Sequence, residues 1–121
     1  RTSKEKLDLS TTANEDLITN LIPVIDDFER AEKSFNAETN LEAITEGVQL
    51  IANKFKSTLE QKGLKVMDSN PGIEFDPEIH EAITQIPAPE KKLKGKVVDV
   101  VEKGYFLGEK VVRFAKVVTG N

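Results

Sequence analysis

Apolar side chains in the first half of the chain recur at alternating intervals of four and three residues, the spacing of one helical face. The row comprises Leu17, Leu21, Val24, Phe28, Ala31 and Phe35. This spacing predicts a helix that packs at a small angle against another helix, as in coiled coils. A second row of Ile18, Ile22 and Ile25 widens the apolar face. Pro23 lies inside the pattern and predicts either a kink near residues 19–22 or two helices that meet there.

A second helix is predicted after a start signal at Thr39. Thr39, with Glu42 three residues later, has the pattern of a capping box. The apolar side chains that follow are again spaced as a helical face: Leu41, Ile44, Val48, Ile51, Phe55 and Leu59. Lys62 supplies a cation near the last turn, and Gly63 readily adopts the left-handed conformation of a C-cap, so the helix is expected to end there.

Two such helices cannot cover their own apolar faces. In a hairpin each helix covers part of the other, and the row of Ile18, Ile22 and Ile25 stays exposed. One solution is a twofold dimer in which two hairpins form a four-helix bundle. The residues expected at that interface are Leu17, Ile18, Leu21, Ile22, Ile25, Phe28, Val48, Ile51 and Phe55. The other solution is a single globule in which the second half of the chain folds back over the helices.

The second half of the chain consists of short β-branched runs separated by proline and glycine. Strands are predicted at residues 64–67, 82–86, 97–103 and 110–118. The segment Gly104–Gly108 is expected to form the turn of a hairpin between the last two strands. Asp76 as N-cap and Pro77 at the first helical position predict a one-turn helix. The predicted fold class is therefore α+β, with a helical dimerisation domain at residues 1–63 and a small all-β domain at residues 64–121.

Charge and composition exclude several classes of protein. The formal net charge is −4, which argues against a protein that binds nucleic-acid phosphates. There is no cysteine, so neither a disulfide framework nor a thiolate metal site can form. No apolar run approaches the roughly 20 residues that span a bilayer. These features favour a soluble intracellular protein with no nucleic-acid or membrane partner. The clustered acidic residues of the first helix are expected to be solvated: Asp26, Asp27, Glu29 and Glu32.

Side chains able to perform chemistry are scarce. The single histidine, His80, lies between Glu78 and Glu81, and no second histidine is available to complete a metal shell. A Ser-His-Asp arrangement has equally little support. We therefore expect no catalytic residue, no metal site and no cofactor. The ring nitrogens of His80 are expected to order the turn after Asp76 and Pro77.

Several stretches of the sequence form a recognisable set of motifs. In the second half they are Phe75-Asp76-Pro77-Glu78-Ile79-His80-Glu81-Ala82-Ile83, Gly104-Tyr105, Glu109, Val112-Arg113 and Ala115-Lys116-Val117. In the first half they are residues 21–31, Glu46-Gly47-Val48 and Lys62-Gly63-Leu64. Over roughly residues 17 to 118, these stretches resemble the GrpE family of nucleotide-exchange factors. Thr119 departs from the family pattern, in which an isoleucine or valine is usual at this position.

This resemblance implies a fold and a function. The family is a parallel homodimer with a four-helix bundle and two small β-domains, one of which docks on the nucleotide-binding domain of a DnaK-type chaperone. Docking opens the cleft of the chaperone so that ADP leaves, and no chemistry is done on the nucleotide. By analogy with the family, the chaperone-binding residues are expected around the last hairpin: Val101, Lys103, Tyr105, Lys110 and Arg113. The implied location is the cytoplasm of a bacterium or the matrix of an organelle.

Alternatives to this interpretation stay open at the level of sequence. Val101 and Tyr105 are also suited to the core of a small sheet. A structural dimerisation module without exchange activity, in which the β-domain is a spacer, would have the same periodicity. A small enzyme that uses His80 and Glu81 is the third alternative.

Overall fold

The computed structural model describes residues 3–121 and contains two long helices followed by six short strands. The helices are α1 (Ser3–Ser34) and α2 (Leu41–Gln61). The strands are β1 (Leu64–Val66), β2 (His80–Ile86), β3 (Val97–Glu102), β4 (Tyr105–Leu107), β5 (Lys110–Arg113) and β6 (Ala115–Gly120). The predicted α+β class, with helices first and strands last, is confirmed. The described residues divide into two compact units, a helical unit that ends at Lys62 and a β-unit, Gly63–Asn121.

Helix α1 is continuous although Pro23 lies inside it. The alternative of two helices that meet near Pro23 is therefore wrong. Proline removes one backbone donor, and the turns on both sides supply the remaining helical hydrogen bonds. Residues 3–16, which precede the apolar row and are mostly polar, are helical as well, and Leu7 and Leu9 among them are exposed. The first turns of α1 consequently gain little from packing within one chain.

Helix α2 begins one residue later than the capping-box pattern indicates. Its N-cap is Asn40, whose side-chain oxygen accepts a hydrogen bond of 2.8 Å from the backbone N–H three residues later. The predicted cap at Thr39 is wrong, because its hydroxyl accepts a hydrogen bond from the backbone N–H of Asn36 at 3.0 Å and closes the preceding turn. The predicted end is confirmed, since Lys62 is the C-cap and Gly63 follows with a φ of 103°.

The two helices pack as an antiparallel hairpin. Asp16 forms an ion pair with Lys62 at 2.6 Å, and Asp27 forms one with Lys54 at 2.9 Å. Residue numbers rise along α1 as they fall along α2, so the helices run in opposite directions.

Little of this hairpin is buried. In the part of it that the structure describes, only Val24 and Ile51 are buried apolar residues. The partly buried apolar side chains of the hairpin are Leu17, Leu21, Ala31, Phe35, Ile44, Ala52 and Leu59. The second row of α1 is exposed, as expected for a hairpin: Ile18, Ile22 and Ile25.

The strands of the β-unit form two three-stranded sheets within residues 64–120. The first sheet has the order β1-β4-β5, and its strands are antiparallel. The second has the order β2-β6-β3, with β2 parallel and β3 antiparallel to the central strand. A buried cluster and the partly buried side chains packed against it make the core: Met67, Val97, Ala115 and Val117, then Ile73, Phe75, Ile79, Val100, Phe106 and Val111.

Two sequence predictions for the last third of the chain are wrong. Residues 104–108 are not a simple turn, because residues 105–107 form β4 between β1 and β5. The hairpin is formed by β4 and β5, and its turn contains Gly108, whose φ is 61°. The run at 110–118 is not one strand but divides at Phe114, where the chain leaves the first sheet for the second. Aromatic and aliphatic residues in β4 favour a strand, and this preference outweighs the flanking glycines.

Candidate functional site

Most of the candidate docking residues lie near two short crossings of the chain between the sheets. The first crossing, Lys103-Gly104, links β3 to β4, and the second, Phe114, links β5 to β6. A Cβ atom on Gly104 would lie 2.6 Å from the nitrogen of Ala115 and 2.9 Å from the carbonyl oxygen of Arg113. The two crossings are therefore in direct backbone contact, and the absence of a side chain on Gly104 makes this contact possible.

The side chain of Arg113 reaches from the second crossing to the first. Its Nε donates a hydrogen bond to the carbonyl oxygen of Lys103 at 3.0 Å. Its Nη1 lies 3.1 Å from the carboxylate of Glu102, and its guanidinium carbon lies 5.2 Å from the ring centroid of Tyr105. A planar guanidinium can make these contacts together, whereas the ammonium group of lysine cannot.

Glu102 joins two cations from different strands. One of its carboxylate oxygens pairs with Arg113, and the other lies 3.3 Å from Nζ of Lys116, its register partner on β6. All three side chains are partly exposed, so each ion pair alone contributes at most about 1 kcal/mol. Glu102 is not among the residues predicted from the sequence, because its partners are distant along the chain. The motif Ala115-Lys116-Val117, which contains one of these partners, was a feature of the sequence that pointed to this region.

The other two candidates lie on different sheets. Val101 is on β3 and is 58% exposed, so the alternative that places it in the core is wrong. Lys110 is exposed at the start of β5. Tyr105 is partly buried beneath Arg113. The structure thus brings Lys103, Tyr105 and Arg113 into one cluster, with Val101 and Lys110 on strands of different sheets.

His80 is buried, with 4% of its surface exposed, and it orders the turn before β2 as predicted. Its Nδ1 accepts a hydrogen bond from the backbone N–H of Asp76 at 3.0 Å. The carboxylate of Asp76 accepts a hydrogen bond from the backbone N–H of Glu78, and its carbonyl accepts from those of Ile79 and His80. Residues 77–79 thus form a single hydrogen-bonded turn capped by Asp76, as predicted, and the turn does not extend into a longer helix because β2 begins at His80. Among residues 3–121, no group of three or more His, Asp and Glu side chains is arranged to hold a metal ion.

The candidate dimer interface divides by exposure. The exposed members are Ile18, Ile22, Ile25, Phe28, Val48 and Phe55. Leu17 and Leu21 are partly buried, and Ile51 is buried. A run of exposed apolar side chains along a helix is typical of an interaction surface.

Within the described residues, neither helix is sufficiently long and apolar to cross a membrane.

Asp27 links the two helices instead of facing solvent. Its carboxylate contacts Lys54 on α2 and Arg30 on its own helix. The hydrogen bond from Lys54, assisted by the charges of both cations, holds the pKa of Asp27 below its usual value. The expectation that Asp27 is solvated is therefore wrong, since only 17% of its side chain is exposed.

Comparison with known proteins identifies the family of this chain. The model of the GrpE family matches residues 1–121. The chain belongs to the GrpE family. It is 51% identical to Protein GrpE of Parabacteroides distasonis, 47% to that of Bacteroides thetaiotaomicron and 40% to that of Brachyspira hyodysenteriae, each over 99% of this chain. The chain spans between 60% and 62% of the length of these relatives.

The stretches that resemble GrpE proteins coincide with two features of the β-unit. The longest, Phe75–Ile83, contains the turn ordered by His80 and the first part of β2. Two further stretches, Gly104-Tyr105 and Val112-Arg113, meet at the crossings between the sheets. In the β-unit, these motifs of the GrpE chain therefore lie at the turn before β2 and at the crossings between the sheets.

Proposed function

We propose that this chain is a nucleotide-exchange factor for a DnaK-type chaperone. It binds the nucleotide-binding domain of the chaperone and accelerates ADP release by opening the cleft. Membership of the GrpE family, matched over residues 1–121, is the observation that carries this proposal. The bacterial relatives support action in the cytoplasm of a bacterium.

The proposed activity requires a difference in affinity for two states of the chaperone. The factor must bind the open arrangement more tightly than the closed one, since a ligand shifts an equilibrium only by its differential affinity. By reciprocity, bound ADP must weaken the factor's own binding to the same extent. A thousandfold effect requires about 4 kcal/mol of differential binding, at about 1.4 kcal/mol per tenfold.

The surface proposed to contact the chaperone has mixed chemistry. We call it the docking face, and it consists of Val101, Lys103, Tyr105, Lys110 and Arg113. Val101 offers an exposed apolar anchor, and Lys103 and Lys110 offer exposed cations. An interface gains most of its affinity from a few desolvated anchors and charge-assisted contacts, so this set suits an acidic partner surface with an apolar recess.

The helical unit is proposed to form a homodimer, with residues 1–63 as its dimerisation domain and residues 64–121 as the domain that docks. The exposed rows of α1 and α2 would become the centre of a four-helix bundle. Full burial of an isoleucine side chain contributes about 1.5–3 kcal/mol, so the row of Ile18, Ile22 and Ile25 alone supplies a substantial driving force.

Stopped-flow release of labelled ADP from a DnaK-type chaperone tests the exchange function. The unmodified chain is expected to accelerate release. Val101→Asp and Lys110→Gln should reduce the acceleration at a fixed subsaturating concentration by about tenfold, the effect of losing one anchor worth about 1.4 kcal/mol. Lys91→Gln is the matched control, because Lys91 is an exposed lysine outside the docking face.

The same experiment separates exchange from a purely structural role. If the unmodified chain leaves ADP release unchanged while it dimerises, the chain is a dimerisation module and the exchange function is wrong. If Lys110→Gln and Lys91→Gln slow release equally, the docking face is wrong and general positive charge accounts for binding. Sedimentation of each variant verifies that the oligomeric state has not changed.

A further inference from the structure

The contacts of Arg113 are concentrated on one short stretch of chain. Glu102 ends β3, Lys103 lies in the first crossing, and Tyr105 begins β4. Arg113 itself ends β5, immediately before the second crossing. One side chain therefore touches residues on both sides of the first crossing and is anchored at the second, which ties the two sheets together at the place where their backbones already meet.

The guanidinium group of Arg113 already has binding partners within its own chain. Its Nε and Nη1 have protein acceptors, and its flat face lies against Tyr105. A carboxylate on a partner would have to displace Glu102 to reach the same donors. Lys103 and Lys110 differ, because both are exposed and neither forms an ion pair with the described residues. Direct contact with an acidic partner therefore suits the two lysines better than it suits Arg113.

The docking face depends on the relative position of the two sheets. Val101 lies on β3 of the second sheet, whereas Lys110 lies on β5 of the first. If the sheets move relative to each other, the spacing of these residues changes. A partner then finds the matching arrangement in only a fraction of the molecules, and its apparent affinity falls by that fraction.

We propose that Arg113 and Glu102 form a clip that fixes the two crossings and sets the geometry of the docking face, a role that presupposes the proposed exchange function. Arg113, which was counted in the docking face, is then a positioning residue that does not touch the chaperone, and direct contact is left to the other members of that face. Lys116 completes the clip by holding the second carboxylate oxygen of Glu102.

Two variants distinguish the clip from direct contact in the ADP-release assay. Arg113→Lys keeps the charge but loses the planar fork, and Glu102→Gln keeps the shape but removes the acceptor charge. Both are expected to raise the half-saturating concentration by about three- to tenfold, as for the loss of one or two partly exposed charged contacts. The maximal rate at saturation should stay within about twofold, because a shifted population changes affinity and not the complex itself.

Direct contact predicts a different pattern. Arg113→Lys would then retain most of the affinity for an acidic surface, and Glu102→Gln would bind as tightly as the unmodified chain or more tightly, since the face becomes more positive. That pattern would overturn the clip. A fall in the maximal rate with unchanged half-saturation would overturn it too.

Amide hydrogen exchange tests the clip without the chaperone. The backbone N–H of Met67 donates to the carbonyl of Gly104 in the first crossing, at 2.9 Å. Arg113→Lys and Glu102→Gln should both accelerate exchange of the Met67 amide severalfold, and Lys110→Gln should not. The amide of Asn121, bonded to the carbonyl of Ile86, is the internal control. Unchanged protection of Met67 in both clip variants would overturn the proposal, even if the chain proved inactive in nucleotide exchange.

Discussion

The β-unit buries a cluster of apolar side chains between its own strands, whereas the helical hairpin leaves a complete apolar row exposed. In the β-unit the buried cluster is Met67, Val97, Ala115 and Val117. In the hairpin, Val24 and Ile51 are buried, while Ile18, Ile22 and Ile25 are exposed. The β-unit thus has a core of its own, and the hairpin has an apolar face that its own chain leaves exposed among the described residues.

This difference suggests that the β-unit and the helical hairpin have different roles. A small sheet domain that closes its own core can present a fixed surface to another protein, and the two crossings between its sheets are in contact with each other. A hairpin with an uncovered row gains its stability by association, which suits a dimerisation element. Changes in one unit should therefore leave the other largely unaffected. Tyr105, the only tyrosine in a chain without tryptophan, reports on the β-unit by fluorescence, and circular dichroism reports mainly on the helices.

The largest expected effect comes from Gly104→Ala. A Cβ atom there would lie 2.4 Å from the sulfur of Met67 and within 3 Å of two backbone atoms, which cannot move aside cheaply. We expect the β-unit to lose about 3 kcal/mol or more in urea unfolding followed by Tyr105 fluorescence. The helical signal should persist.

Gly108→Ala is the matched control for this substitution. Apart from the two chain neighbours of Gly108, no described residue has an atom within 4 Å of the added methyl group, so its cost is that of a positive φ, about 1–2 kcal/mol. If the two variants lost equal amounts of unfolding free energy, steric contact between the crossings would not explain the effect of Gly104→Ala. Loss of the helices together with the sheets would contradict the independence of the two units.

His80→Phe should have the next largest effect. The aromatic ring stays beside Phe75, but the acceptor for the backbone N–H of Asp76 is lost. We expect the β-unit to be destabilised by about 1–1.5 kcal/mol, the contribution of the lost hydrogen bond, because Asp76 is exposed and its N–H can bind water instead. Glu81→Gln, on an exposed neighbour, should leave the unfolding midpoint unchanged. The His80→Phe protein should still accelerate ADP release at saturation under conditions where it is folded. If His80 were instead a catalytic residue of a small enzyme, the substitution would abolish that enzyme's activity.

Thr119→Val is expected to stabilise the β-unit. Thr119 is 5% exposed, and its hydroxyl is buried with no hydrogen-bond partner among the described residues. Valine has nearly the same shape and removes the desolvated polar group, so we expect a gain of about 1 kcal/mol in urea unfolding. Thr84→Val, at an exposed site on β2, should give no such gain. A destabilised Thr119→Val protein would show that the hydroxyl is satisfied in solution.

The smallest effect is expected from Asp27→Asn, and it should appear in the helical unit alone. Because the pKa of Asp27 is lowered in the folded chain, its ionised form adds stability above the unfolded pKa of about 3.9. That contribution is lost as the pH falls below about 4 and through the lowered pKa. Urea unfolding followed by circular dichroism at pH 6 and near pH 2.5 should show a smaller difference for Asp27→Asn than for the unmodified chain. Asp26→Asn is the control on the same helix, and an equal response there would contradict the link between Asp27 and Lys54.

The helices were the part of the fold that sequence could predict. Their apolar spacing is a local property, and so are the signals at Lys62 and Gly63 that end α2. The start of α2 was misplaced by one residue because Thr39 and Asn40 can both cap a helix. The choice between them depends on the hydrogen bond of Thr39 to Asn36.

The β-unit was less predictable because its decisive contacts join distant residues. The two glycines around β4 suggested a turn, and pairing with β1, about 40 residues earlier in the chain, makes the segment a strand. Three of the predicted docking residues, Lys103, Tyr105 and Arg113, do meet in the structure, and their contact with a chaperone stays a prediction. Glu102 could not be identified, because its role depends on the register between β3 and β6. Whether Val101 is exposed or lies in the core likewise depends on the tertiary structure.

Sedimentation equilibrium of the unmodified chain and of a double variant, Ile18→Asn with Ile22→Asn, tests the central claim most directly. Leu50→Asn, at an exposed leucine outside the proposed interface, is the control. We predict a mass twice the 13.4 kDa of one chain for the unmodified protein and the control, and a single-chain mass for the double variant with Tyr105 fluorescence unchanged. A mass of 13.4 kDa for the unmodified chain at every concentration up to about 100 μM, far above the Kd of a stable dimer, would contradict the account.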